Sequence, residues 1–132
     1  MQQTDFERVH DFGNLYAGFL KARRGKRGKA SVAKFEANLL EALCLLSEML
    51  KNKTYRPSDY FVFRVYEPKE RIVMTNAFKD KVVQHSLCDN VLEPAFSRAF
   101  IRDNYASQKG RGTHDGLYRL GAFMRSYYFE RK

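Results

Sequence analysis

The sequence predicts an α+β fold that is mostly helical and carries one β-hairpin. Three observations lead there. Apolar residues recur at three-to-four-residue steps over most of the chain, the period shortens to two between Tyr60 and Tyr66, and a second β-rich stretch, Arg71 to Thr75, follows a short turn. With 132 residues, 44% of them hydrophobic, the chain is one domain's worth and can bury a core.

From Asp5 to Ala22, the residues Phe6, Val9, Phe12, Tyr16, Phe19 and Leu20 fall on one stripe of a first helix. Lys21, Arg23, Arg24, Lys26, Arg27 and Lys29 then crowd around Gly25 and Gly28, so residues 21–30 read as a mobile basic loop, too repulsive and flexible for a packed helix. Ser31 is the expected N-cap of a second helix that runs to Lys51 with Phe35, Leu39, Ala42, Leu46 and Met49 inward. Leu40, Leu43 and Cys44 widen its apolar surface, which predicts burial on more than one side.

The hairpin is expected over residues 60–75, with Phe61, Phe63 and Val65 on one face, Val62, Arg64 and Tyr66 on the other, and Glu67 to Glu70 as the turn. Two strands alone are marginal, so flanking helices or a further strand must support them. Asn76 is the expected cap of a helix over 76–93 that turns Phe78, Val82, Val83, Leu87 and Val91 inward and stops at Pro94. A short helical turn from Ala95 to Ile101 and a polar loop over 103–113 follow. Thr113 should cap a last helix with Leu117, Leu120, Phe123, Met124 and Tyr127 inward; the pattern breaks off at Lys132 without a C-capping glycine, as in a truncated chain.

Twenty-four Lys and Arg against fifteen Asp and Glu leave a net charge of +9, which argues for a polyanionic partner, nucleic acid first. A membrane surface attracts the same charge, but no run approaches the roughly 18 apolar residues of a spanning helix. The start Met1-Gln2-Gln3-Thr4-Asp5 has no signal-peptide pattern, so a soluble, cytoplasmic protein is expected. Cys44 and Cys88 lie in apolar helical patterns and read as buried free thiols. His85 and Cys88 are one turn apart, but no further Cys or His stands at ligand spacing, so no metal is assigned. Asp80, near a helix start where it favours the helix dipole, and His85 take structural roles. No residue is assigned to catalysis: Gly-x-Ser-x-Gly, an oriented Cys/His pair, Asp-x-Asp and Tyr-x-Asp-Asp are all missing from the sequence.

Two cationic constellations stand out. Arg64, Lys69 and Arg71 at and beside the hairpin turn suit a triphosphate or a nucleic-acid backbone, although spacing alone favours an ordinary solvated hairpin. The loop from Asn104 to His114 offers the Tyr105 ring for stacking, the cations Lys109 and Arg111, close approach at Gly110 and Gly112, and helix-start amides at Thr113 and His114. Such a loop suits a phosphate or a template backbone, and a capped surface loop accounts for it equally well.

The order and spacing of Arg71-Ile72-Val73, Asp80-Lys81-Val82-Val83-Gln84-His85, Leu92-Glu93-Pro94-Ala95-Phe96, Asn104-Tyr105-Ala106 and Gly110-Arg111-Gly112-Thr113-His114 resemble the amino-terminal fingers region of bacterial retroelement reverse transcriptases. The resemblance runs from about residue 5 to 132 and is strongest over 60–117. Group II intron enzymes usually read Tyr-Gly-Phe-Arg-Pro-Gly where this chain has Tyr105 to Gly110 as Tyr-Ala-Ser-Gln-Lys-Gly, which is nearer to diversity-generating retroelement or unclassified bacterial enzymes. The resemblance implies the start of a right-hand polymerase fold, fingers and the approach to the palm, without the palm's catalytic part. It implies that Arg71, with Arg64 or Lys69 as its lysine-like partner, clamps an incoming dNTP, and that the loop containing Tyr105, Lys109, Gly110, Arg111, Gly112, Thr113 and His114 touches the template. The partners implied are an RNA template, a DNA or RNA primer, a dNTP, and the remaining palm and thumb of the same polypeptide. Magnesium would belong to palm aspartates, so no cofactor is expected within these residues. A non-catalytic, maturase-like RNA-binding module is the alternative, and a structural basic domain on ribosomal RNA is a third.

Overall fold

Breaks, rather than one long periodic run, organise the helices. The computed structural model describes residues 3–106 and 108–131. Among them are the helices α1 (Asp5–His10), α2 (Phe12–Arg23), α3 (Ala30–Ala37) and α4 (Leu39–Lys51), the strands β1 (Phe61–Val65) and β2 (Arg71–Thr75), then α5 (Phe78–Leu87), a π-helical segment (Cys88–Leu92), α6 (Glu93–Ala99) and α7 (Thr113–Glu130). The class is α+β, as expected. The chain divides into two units, residues 1–94 and 95–132.

The expected first helix is two helices. Thr4 and Glu7 form a capping box on α1, with the Thr4 N–H donating to the Glu7 carboxylate at 2.7 Å and the Glu7 N–H to Thr4 Oγ1 at 3.2 Å. At Asp11 the backbone turns extended, and the Asp11 carboxylate caps α2 by accepting from the Asn14 N–H at 3.1 Å. The break exposes carbonyls at the end of α1, and side chains from three places claim them: Asn14 Nδ2 donates to Arg8 O at 2.8 Å, Ser86 Oγ to Val9 O at 2.8 Å, and Ser47 Oγ to His10 O at 2.6 Å. Because the break resets helical phase, the buried set of α2 is Leu15, Gly18, Phe19 and Ala22, while Phe6, Phe12, Tyr16 and Leu20 are exposed.

A second break at Asn38 separates α3 from α4; Lys29 occupies the N-cap position of α3, and Ser31 lies inside the helix. Of the α4 residues, Leu43, Leu46 and Leu50 are buried, whereas Leu40, Cys44 and Leu45 are exposed. The helix is therefore buried on one side only. Cys88 is likewise exposed, so both thiols are free but neither is buried.

In the first unit the core gathers Leu15, Phe19, Ala22, Leu43, Leu46, Leu50, Val82 and Val83. Phe19, Phe35 and Phe78 add an aromatic trio with centroids 5.2 to 6.2 Å apart. Helices α2 and α5 meet at Gly18, where a Cβ would stand 2.7 Å from the Val82 carbonyl oxygen. Ala77, not Asn76, is the N-cap of α5.

Pro94 does not stop this helix. In the wider π turn the Glu93 N–H donates to Cys88 O, and Asn90 Nδ2 takes the Ser86 carbonyl at 2.8 Å. With the ordinary ladder already interrupted, a residue lacking an N–H sits inside α6 without ending it.

Within the second unit, no described residue from 95 to 131 is buried. Leu117, Leu120, Phe123, Met124 and Tyr127 of α7 are exposed, against the inward stripe expected from their spacing; the half-buried side carries Gly116, Arg119, Gly121 and Ala122. Gly112, rather than Thr113, is at the cap, and its N–H donates to the Asp115 carboxylate at 2.9 Å.

Candidate nucleic-acid interface

Asp80 fixes the approach to the hairpin. It is 1% exposed, accepts from the Tyr55 hydroxyl and accepts from the Ser58 N–H at 3.0 Å, so the segment leading into β1 is tied to the first turn of α5. Its role is structural, as expected: it stands in the first turn of α5, where a carboxylate favours the helix dipole, and it is also a buried acceptor. Burial, and then the hydrogen bond to Asp80, push the Tyr55 phenol well above its ordinary range.

The strands pair antiparallel, with Phe61 opposite Thr75, Arg64 opposite Ile72 and Val65 opposite Arg71. Arg71 therefore shares a face with Phe61, Phe63 and Val65, and Arg64 lies on the opposite face with Val62, Ile72 and Met74. The connection spans Tyr66 to Glu70, one residue longer than the expected turn. Arg64 Nη1 is 3.0 Å from a Glu70 carboxylate oxygen, whereas the side chains of Lys69 and Arg71 have no hydrogen-bond or ion-pair partner among the described residues. Arg64, Lys69 and Arg71 are all exposed, but Arg64 and Arg71 do not converge on one point.

The basic segment starts later than expected. Lys21 and Arg23 belong to α2: Lys21 Nζ pairs with Asp89 at 2.6 Å, and Arg23 pairs with Glu36 while its guanidinium lies 5.0 Å over the Phe19 ring. Burying Ala22 in the core carries the helix through residues whose charges argued against it. Arg24, Lys26, Arg27 and Lys29 are exposed and without hydrogen-bond or ion-pair partners from their side chains among the described residues; Gly25 turns the chain with φ of 69°. One member of this neighbourhood is not evident from sequence. Lys81 donates to Thr75 Oγ1 at 2.7 Å, and burial, Lys26 and Lys29 together hold its ammonium below the usual lysine range. Sequence spacing gives no sign of this influence of Lys26 and Lys29 on residue 81.

In the second unit the loop before α7 and the helix face enclose an open cleft of about 430 Å³ that Arg102, Tyr105, Gly110, Arg111, Tyr118 and Arg119 help to line. The Tyr105 hydroxyl donates to Asp103 at 2.9 Å, Arg119 Nε donates to the same oxygen at 3.1 Å, and Arg111 Nη1 donates to Arg102 O at 2.5 Å. The Tyr105 hydroxyl and then Arg119 hold the Asp103 carboxyl below its usual range; burial, then Asp103, raises the Tyr105 phenol. Gly110 has φ of 71°, and Tyr105 rests against Gly116 with no Cβ between them. The cleft thus unites Tyr105, Gly110 and Arg111, adds Arg102, Tyr118 and Arg119, and leaves Lys109, Thr113 and His114 as exposed neighbours.

Among the described residues no three His, Cys, Asp or Glu side chains gather as a metal site, and no helix is long and apolar enough to cross a membrane. No protein-family model matches the chain, and no curated protein matches it.

Proposed function

We propose that the chain is the nucleic-acid-gripping fingers part of an RNA-directed DNA polymerase of the bacterial retroelement kind, acting on an RNA template, its DNA or RNA primer and an incoming dNTP. The observation that carries this reading is the distribution of unneutralised charge: Arg24, Lys26, Arg27 and Lys29 on one exposed segment, and Lys69 and Arg71 on a hairpin whose aromatic residues are exposed beside them. Cations interleaved with exposed rings suit phosphates and bases together. Since Glu70 engages Arg64 on the other face, Lys69 and Arg71 are the better-suited pair for a triphosphate. The cleft around Tyr105 and Arg111 is the counterpart for a template backbone.

The test titrates the purified chain with an RNA·DNA hybrid at increasing salt. Binding with little sequence preference and a slope near −0.9 per neutralised phosphate is expected, and alanine at Arg24, Lys26, Arg27 and Lys29 should flatten that slope. Affinity independent of salt contradicts the proposal. Retention of folded RNA without any hybrid binding favours the maturase-like RNA-binding module instead.

A further inference from the structure

We propose that the cleft of the second unit holds one unpaired nucleotide of a nucleic-acid strand, its base against the Tyr105 and Tyr118 rings and its phosphate on Arg102 and Arg111. The proposal deepens the nucleic-acid reading and rests on it for the strand; a free mononucleotide offers the same chemistry. It adds Arg102 and Tyr118 to the loop residues, and it gives the cleft a base together with its phosphate rather than a backbone alone.

Three features support it. The first is the division of the arginines that line the cleft. Arg119 is occupied: its Nε donates to Asp103 at 3.1 Å, and its guanidinium lies 4.4 Å over the Phe123 ring. Arg111 donates from Nη1 to Arg102 O at 2.5 Å, which ties these two residues together and leaves the other N–H groups of its fork to donate elsewhere. Neither Arg102 nor Arg111 has a carboxylate partner among the described residues. The second feature is the pair of rings. Tyr105 is fixed, with its hydroxyl donating to Asp103 at 2.9 Å and its ring 3.4 Å from where a Gly116 Cβ would stand, while Tyr118 lines the same cleft and is 77% exposed. The third is size: about 430 Å³ falls within the roughly 300–1,000 Å³ of small-ligand sites.

Rings and cations together select an unpaired nucleotide over a duplex. In a duplex the bases already stack on one another, so two tyrosine rings in a cleft find no free base face; a single strand offers base faces and phosphates alike. A guanidinium fork suits a phosphate, because its parallel N–H groups reach two oxygens at once. The carboxylate in the lining, Asp115, accepts from the Gly112 N–H at 2.9 Å and is thereby engaged at the start of α7; its second oxygen can accept from the amino group of a base.

The test compares three probes on the purified chain: a single-stranded oligoadenylate, a blunt RNA·DNA hybrid of the same length, and AMP. Tyr118→Ala should weaken single-strand binding roughly tenfold and leave the hybrid unchanged, while Tyr118→Phe, which keeps the ring, should bind as the wild type does. Arg102→Gln should lower the salt slope for the single strand by about 0.7. Both side chains are exposed, so these variants report on binding from a folded chain. Oligoadenylate bound equally by the wild type, Tyr118→Ala and Arg102→Gln overturns the site while the nucleic-acid reading stands. Equal losses on single strand and hybrid also overturn it, because the cleft then touches backbone alone. AMP binding that needs Tyr118, without binding of either strand, supports the site and removes the nucleic-acid reading. A wild type that binds none of the three overturns both.

Discussion

At Gly18 the two central helices of the first unit approach so closely that a methyl group has nowhere to go. The Cβ of an alanine would stand 2.7 Å from Val82 O and 3.2 Å from Ser86 N, and both atoms are backbone, so no side-chain rotation relieves the clash. Intrinsic helix propensity pulls the other way, since alanine is favoured over glycine by up to about 1 kcal/mol in a helix interior. Overpacking of a tight contact costs about 1–3 kcal/mol, so the clash should win. Gly18→Ala is therefore expected to lower the urea midpoint with the transition slope unchanged; a stabilised variant would show that α2 and α5 do not pack this closely. The same crossing explains why Ser86 is fully buried: its hydroxyl satisfies the Val9 carbonyl that the α1–α2 break leaves open. Neither role was legible in the sequence. A glycine among apolar residues reads as a neutral gap, and the phase of α2 depends on a break whose only sequence sign is that Asp11 can cap.

Among the elements, the hairpin was the most legible, because a period of two over Phe61 to Val65 and a charged proline-bearing turn are local signals that tertiary packing did not override. Helix type was equally legible, but helix ends were not: Asn38 and Asp11 divide runs that keep helical spacing throughout, and the π segment carries Pro94 past the point where a proline should end the run. What sets the hairpin on the first unit is the tie from Tyr55 and Ser58 to Asp80, and this tie has a pH signature. The Tyr55 phenol is raised in the folded state above its ordinary value of about 10, chiefly by burial. The folded chain thus holds that proton more tightly than the unfolded chain does. The associated stability is fully present below about pH 10 and is lost as pH rises beyond it toward the folded value. Tyr55→Phe should lower stability at neutral pH, because the buried Asp80 carboxylate loses a hydrogen-bond donor, yet the gap to the wild type should narrow as pH climbs past 10. Denaturation curves at neutral and alkaline pH check this, and a gap constant with pH would show that the phenol is not held as described.

Across the whole molecule, apolar burial is uneven. Every buried side chain among the described residues belongs to residues 1–94, with α2, α4 and α5 supplying most of them. Helix α7 has 18 residues, enough for a marginal helix on its own, but its large apolar side chains are exposed and its support is local: the Gly112–Asp115 cap, and the Tyr105–Asp103–Arg119 linkage across its first turns. The sequence stripe of Leu117, Leu120, Phe123, Met124 and Tyr127 was correctly periodic and wrongly read as inward, since periodicity identifies an apolar face without identifying what covers it. Opening free energies should follow the same division. Hydrogen exchange is expected to show amides of α2 and α5 protected up to the global unfolding limit, while α7 exchanges orders of magnitude faster through local opening. The loop holding Tyr105 should lose its linkage on acidification, because Asp103 is stabilised as the carboxylate: the contribution is present above the ordinary aspartate range and disappears as pH falls through the lowered folded value. Equal protection of α7 and α5 would mean that residues 95–131 share the stability of the first unit, and the exposed face of α7 would then have to be accounted for by contacts that burial does not reveal.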